Sequence, residues 1–344
     1  MTASTEASPA EVSSSEAPTP SGPTAWLGVA VRILERYALA VLLLLVVAFF
    51  SLWPETSDVY IQPDNIRNIV TSQTVLAIIA LGSIVPLVCG QFDLSVGSVA
   101  GFSSVLTASA LATYHLPLVL AILVGVASGA LIGVVNGQVV TRFGVNALIT
   151  TLGTASVVAG LEEWYTGGTS ILVNLPEALS QFGSKTILGV PRIALVLIPV
   201  ALLVWYLLEH TPFGRYLHAV GTNAEAAALV GLRIPSLIRR SFVVSGAVAG
   251  LAGVMLLSSS GSGSPGVGAP FTLTALAAAF LGATSVRPGR FNVVGTLLAI
   301  YFLAAAITGL TFSGVKSFIQ NLFTGAALVF AVAISALLRR RRAG

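Results

Sequence analysis

The 344 residues are 55% hydrophobic and only 9% charged, with a formal net charge of +4. A soluble globular domain carries roughly 25% charged residues, so a surface this poor in charge excludes a water-soluble fold and makes lipid the main solvent. The single cysteine, Cys89, excludes an intrachain disulfide, and no soluble basic domain exists to bind nucleic acid.

Residues 1–24 are rich in Ser, Thr, Pro, Ala and Glu and cannot build a core, so they read as a disordered cytoplasmic tail. The tail lacks the basic start and immediate apolar run of a secretory signal. Residues 25–344 read as one all-α polytopic transmembrane domain. A bilayer core of ~30 Å takes about 20 helical residues. Ten apolar segments meet or approach that length: 38–54, 68–89, 97–113, 116–139, 146–165, 187–208, 241–258, 272–283, 292–312 and 315–338. The eighth is short, and the third and fourth nearly touch. About ten transmembrane helices are therefore expected.

Charge orients them. With the N-terminus inside, the inner segments hold Arg32, Arg36, Arg142, Arg215, Arg233, Arg239, Arg240, Arg287, Arg290 and Arg339 to Arg342, which is 13 of the 17 Lys and Arg. Arg67, Lys185, Arg192 and Lys316 fall outside, with the acids Glu55, Asp58, Asp64, Glu162, Glu163 and Glu177. Basic residues accumulate in cytoplasmic loops, so both termini are expected in the cytoplasm.

Asp93 is the only acid between Asp64 and Glu162, within Gly90-Gln91-Phe92-Asp93-Leu94-Ser95-Val96-Gly97-Ser98. Charge at membrane depth is costly and kept for a reason. Followed by a small-residue helix, Asp93 suits a buried helix cap fixing a short re-entrant turn. A direct role in gating, shared with Ser95, Gly97, Thr284 and Ser285, or in contacting a partner subunit is the alternative. Gly144-Val145-x-x-x-Ile149-x-x-Leu152-x-Thr154 recurs as Gly314-Val315-x-x-x-Ile319-x-x-Leu322-x-Thr324. Gly90-x-x-Asp93-Leu94-x-x-Gly97 is echoed by Gly282-x-x-Ser285-Val286-x-x-Gly289. The order is kept, which predicts a faint internal duplication, parallel or inverted; duplicated halves are a common transporter plan.

Residues 209–240 form the largest inner loop. Asn223 can cap a short helix there, Glu225 suits its first turn, and Gly231 can end it after Ala226, Ala227, Ala228, Leu229 and Val230. Such a helix is too short to be stable alone and needs a surface to dock on.

Together these strings resemble the permeases of ribose/xylose/arabinose-type (monosaccharide) bacterial ABC importers. The likeness begins at Asp93-Leu94-Ser95-Val96-Gly97-Ser98 and runs through Asn136-Gly137, Phe143-Gly144-Val145 and Ile149-Thr150-Thr151-Leu152-Gly153. It continues through Thr211-Pro212-Phe213-Gly214-Arg215, Ala219-Val220-Gly221-x-Asn223, Ser245-Gly246, Gly282-x-Thr284-Ser285 and Gly295-Thr296-Leu297-Leu298. It covers about residues 65–335. The second turn, Gly282 to Phe291, departs from the family by two arginines and a proline. The resemblance implies a dimer of permeases, a cytoplasmic ABC ATPase that binds ATP and Mg, and an extracytoplasmic solute-binding protein, in the bacterial plasma (inner) membrane. It implies that the 223–231 helix is the ATPase-coupling element.

A monosaccharide pathway calls for amides and hydroxyls. Gln73, Asn136, Asn146, Thr150, Thr151, Thr154, Gln320, Asn321 and Thr324 lie in or beside spans. Asn146, Thr150 and Thr154 share one helix face, as do Gln320 and Thr324. Helix–helix hydrogen bonding is the competing use. No phosphate-loop motif occurs, so this chain does not itself hydrolyse ATP, and the histidines lack metal-ligand spacing. No catalytic residue, metal or cofactor is expected on this chain. The alternatives are an ABC permease for another small solute (autoinducer-type sugar, nucleoside or branched-chain amino acid) and an ion-coupled secondary transporter.

Overall fold

The computed structural model describes residues 23–172 and 176–316, with positions 318, 319, 322, 323, 325–327, 329, 330 and 333. The helices are α1 (Pro23–Leu52), α2 (Ser57–Tyr60), α3 (Pro63–Val88), α4 (Val96–Ala112), α5 (Leu118–Arg142), α6 (Ala147–Thr166) and α7 (Glu177–Ser184). After a hairpin of β1 (Thr186–Ile187) and β2 (Val190–Pro191) come α8 (Arg192–His210), α9 (Pro212–Thr222), α10 (Ala224–Leu229), α11 (Ile234–Ser260), α12 (Phe271–Gly282) and α13 (Val293–Phe312).

The first nine apolar segments of the sequence coincide with α1, α3, α4, α5, α6, α8, α11, α12 and α13. Five of these, α3, α5, α8, α11 and α13, are long and apolar enough to cross a membrane by length and composition. The tenth segment, 315–338, lies mostly outside the described residues, as does the tail apart from Pro23 and Thr24, which begin α1. The sixth segment needs correction. Its first residues form the hairpin, because Leu188 (φ 51°) and Gly189 (φ 82°) adopt consecutive left-handed conformations, the backbone of a two-residue hairpin turn. Pro191 then precedes the first turn of α8.

α11 is the axis of the bundle. About three-quarters of its span is buried (78%), close to the 72% of α3. It packs on α5 through glycines four residues apart. A Cβ on Gly129 would stand 2.2 Å from Gly246 O, and one on Gly133 would stand 2.2 Å from Phe242 O. Only bare backbone fits, and Gly137 meets Arg239 in the same way one turn on. Lipid gives no hydrophobic drive between helices, so this close backbone approach supplies the packing. Ser103 of α4 adds a hydrogen bond to Gly250 O at 2.7 Å. Elsewhere α1, α5 and α6 turn large apolar side chains outward, among them Leu44, Leu131 and Ile149.

α12 is 12 residues long, about 18 Å at 1.5 Å per residue, too short to cross a bilayer core. The missing depth is filled by residues 261–270, which enter the bundle without helical structure. Irregular backbone at that depth is tolerable only where protein surrounds it. Here Gly268 is pressed against Gly97 and Gly101 of α4, so close that its Cβ would stand 2.1 Å from Gly97 O.

Candidate functional site

The turn between α3 and α4 folds on Asp93. Gly90 (φ 79°) reverses the chain after α3. Asp93 is 2% exposed. Its Oδ1 accepts from the Ser95 backbone N–H (3.0 Å) and Ser95 Oγ (2.6 Å), and its Oδ2 accepts from Ser245 Oγ of α11 (2.8 Å). Ser95 Oγ in turn accepts from Asn136 Nδ2 of α5 (2.9 Å), and Asn136 Oδ1 accepts from Thr154 Oγ1 of α6 (2.7 Å). Leu94 N–H donates to Thr151 Oγ1 at 2.9 Å. One continuous chain of polar groups thus joins the turn to α5, α6 and α11, with every carboxylate oxygen partnered. Satisfied buried networks of this kind rigidify a core.

The cap expected of Asp93 takes a different form. The residue before α4 is Ser95, whose side chain makes no capping bond, and Asp93 sits two residues further upstream. The free N–H of Gly97 is instead satisfied by Thr272 Oγ1 at the start of α12 (3.1 Å). The N-termini of the two short helices therefore meet inside the bundle.

The turn after α12 is organised by Asn292. Its Oδ1 accepts from Gly295 N–H (2.7 Å), capping α13, while Nδ2 donates to Gly282 O, Ser285 O and Arg290 O at 3.1–3.3 Å. Ser285 is buried and its Oγ donates to Arg36 O of α1 (2.9 Å), as does Val286 N–H (2.8 Å). Thr284 Oγ1 bonds Leu281 O of its own helix. Arg287 is ion-paired with Glu209 at the end of α8.

The two sequence echoes fare differently. Gly144 (φ 67°) and Gly314 (φ 72°) both take the left-handed conformation between two helices. Gly90 reverses a turn, whereas Gly282 ends α12, and Gly97 is helical where Gly289 (φ 81°) is not. That second pairing does not place like with like.

The polar candidates are locally engaged. Asn146 caps α6 by accepting from Leu148 N–H (2.9 Å), Thr150 Oγ1 bonds Asn146 O (3.0 Å), and Thr154 belongs to the Asp93 network. Gln73 is half-buried beside Ser72. Gln320 and Thr324 lie outside the described residues.

In the 209–240 loop, α9 and α10 replace an open loop. Asn223 Oδ1 accepts from Ala226 N–H (2.9 Å), Glu225 sits in the first turn of α10, and Gly231 (φ 85°) follows its end. Ala227 does not face outward. It is 4% exposed and packs into the permease core, whereas Leu229 is 89% and Val230 77% exposed. Ala226 and Glu225 are exposed as well.

Four residues with organising roles were not singled out from sequence: Ser245 appeared only as part of a motif, Glu162 only among the outer acids, and Thr272 and Asn292 not at all. Glu162, read as an outer-loop acid, is 1% exposed on α6. Its Oε2 accepts from Gly266 N–H (2.7 Å), while Oε1 has no partner among the described residues.

Comparison with known proteins places this architecture. The family model described as branched-chain amino acid transport system / permease component matches residues 65–332. The chain is similar to the ribose import permease protein RbsC of Bacillus subtilis (strain 168), 33% identical over 274 residues, covering 79% of this chain and 85% of that protein. It is 31% identical over 311 residues to the L-arabinose ABC transporter permease protein AraH of Azospirillum brasilense, covering 90% of each. It is 31% identical over 296 residues to the galactose/methyl galactoside import permease protein MglC of Escherichia coli (strain K12), covering 81% of this chain and 88% of that protein. No solved structure matches. With its apolar helices and a match that spans most of its length, the chain is a polytopic membrane protein that belongs to the branched-chain amino acid transport system / permease component family.

Proposed function

We propose that this chain is the membrane-spanning subunit of an ATP-binding-cassette importer and forms the passage for a monosaccharide. The observation that carries this reading is its similarity, over 79–90% of its length, to permeases named for ribose, L-arabinose and galactose. A cytoplasmic ATPase binds ATP and Mg and supplies the energy, an extracytoplasmic binding protein delivers the solute, and a second permease copy completes the passage. The chain crosses the inner membrane about ten times with both termini in the cytoplasm, a reading supported by the Arg asymmetry. The helices α3–α6 and α11 onward repeat one plan of long helix, turn, short helix, long helix and left-handed glycine, which supports duplicated halves.

α10 is the ATPase-coupling element in this reading. Its cap is local, Ala227 anchors it to the permease, and Leu229 and Val230 are apolar and open, so a partner groove would bury them. The Arg287–Glu209 pair links the α12–α13 turn to the same α8–α9 corner. The Asp93 network holds the α3–α4 turn as a rigid part of the gate.

The test is uptake by the native host with this chain deleted and restored. The reading predicts that uptake of one monosaccharide is lost and recovered. Unchanged uptake of every monosaccharide, with loss of branched-chain amino acid uptake, would transfer the chain to the other solute class.

A further inference from the structure

Glu162 is the buried acid that the Asp93 network does not use. It lies at the end of the bundle opposite α9–α10. α11 begins beside α10 and the Gly137 end of α5, and it finishes where Ser258 bonds Leu179 O of α7. At that far end, residues 261–268 are stapled to the connector after α6. Ile171 and Gly263 exchange backbone hydrogen bonds at 2.9 and 3.0 Å, and Ser264 Oγ donates to Ser170 Oγ at 2.7 Å. The segment also presses on α4 at two glycines, Gly263 against Ala108 and Gly268 against Gly97 and Gly101. The one carboxylate in the seam is Glu162, and it holds Gly266 N–H through Oε2.

Its other oxygen is the anomaly. Oε1 is fully buried, has no donor among the described residues and points at Gly101 of α4, where a Cβ would stand 2.8 Å away. A buried acceptor left unpaired is costly, more so when charged, and such groups need an explanation. The segment itself carries hydroxyls, Ser262 and Ser264, which hydrogen-bond each other and reach Ser170. A carboxylate oxygen lacking a donor among the described residues, under a hydroxyl-bearing segment held by a few polar and glycine contacts, fits a solute that brings its own O–H donors.

We propose that Glu162 is a solute-contact residue of the passage: when residues 261–268 withdraw from α4, its free Oε1 accepts a hydroxyl of the entering polyhydroxylated solute. This rests on the monosaccharide-importer reading above. The seam then opens at the face that receives solute, and the carboxylate selects for a hydroxyl at one position of the sugar ring.

The experiment measures uptake by the complete transporter, with ATPase and binding protein, of its monosaccharide and of each single-deoxy analogue. Wild type and Glu162→Gln are compared. The Gln amide oxygen still accepts from Gly266 N–H, so the closed seam is preserved, while the charged acceptor is lost. In wild type, removing the hydroxyl that meets Glu162 should lower uptake about tenfold or more, the worth of a hydrogen bond to a charged group. In Glu162→Gln that penalty should shrink at this one position and persist at the others. If Glu162→Gln is not assembled in the membrane, Glu162→Asp, which withdraws the carboxylate by one methylene, should show the same selective change. Equal ratios in variant and wild type, or a uniform loss for all analogues in either variant, overturn the assignment and leave Glu162 a structural clasp. A wild-type transporter that moves no monosaccharide overturns the importer reading itself, whereas sugar uptake with unchanged analogue ratios overturns only this inference.

Discussion

Replacing Asp93 separates geometry from charge at the centre of the polar network. The carboxylate is 2% exposed and accepts three hydrogen bonds, two from Ser95 and one from Ser245. In Asp93→Asn the amide oxygen takes the place of Oδ1 and keeps both Ser95 bonds. The amide nitrogen then faces Ser245 Oγ, which can turn from donor to acceptor. Each bond falls from the charge-assisted range of about 1.5–3 kcal/mol to the neutral range of about 0.5–1.5. That loss is offset by no longer burying a charge, which itself costs several kcal/mol. The net change should lie within about 1 kcal/mol, a factor of about five in the folded population. Asp93→Ala instead strands the Ser95 N–H, the Ser95 hydroxyl and the Ser245 hydroxyl, at about 1–3 kcal/mol each, or about 3–9 kcal/mol in sum. The assay is the fraction of monodisperse protein after heating in detergent, read beside solute uptake. Asp93→Asn should keep wild-type thermal stability and uptake within about threefold, which corresponds to less than about 1 kcal/mol; Asp93→Ala should lose both. If Asn proves as damaging as Ala, the charge itself is required and the network is not chiefly a geometric brace.

Five further substitutions probe other links. Gly97→Ala places a methyl 2.3 Å from Thr272 Oγ1 and 2.5 Å from Gly268 O, forcing α4 and α12 about 1 Å apart and costing about 1–3 kcal/mol; Gly153→Ala, with nothing within 4 Å, should be silent in the same melt. Leu229→Glu should cut co-purification with the partner ATPase at least tenfold, since burying a Leu contributes about 1.5–3 kcal/mol, and leave insertion unchanged. Ala227→Glu should instead reduce folded yield, because Ala227 is 4% exposed inside the permease. Thr154→Val removes the donor to Asn136 Oδ1 and should lower thermal stability by about 1 kcal/mol, read as an earlier unfolding onset.

Hydropathy located the helices because crossing lipid demands long apolar runs, and that demand is written residue by residue. It misplaced the start of α8, where a left-handed Leu188-Gly189 pair outweighed the local apolar character. The caps at Asn146 and Asn223 were legible because capping is a local pattern. The long-range bonds of the Asp93 network were not, since Ser245 is 152 residues from Asp93 and Asn136 is 41 from Ser95, and only packing brings them together. Asn292 and Thr272 were hidden for the same reason. Ala227 lay in a run of exposed small residues, and no periodicity in so short a helix told its inner face from its outer one. Glu162 was counted among the outer acids, but its burial was not legible, because a span end carries no local sign of what packs on it. The glycines of α4 and of residues 261–268 that enclose it carry no sign of that in sequence.

The central claim is that ATP hydrolysis in a partner drives a monosaccharide through this chain. Its most direct test is proteoliposomes containing the purified chain, its partner ATPase and the loaded binding protein, with ATP and Mg on the ATPase side and labelled ribose, arabinose or galactose on the other. The account predicts accumulation of one labelled sugar that stops when ATP is omitted or the ATPase is left out, and that is unaffected by collapsing proton and sodium gradients. Accumulation by the chain alone under an ion gradient would contradict it.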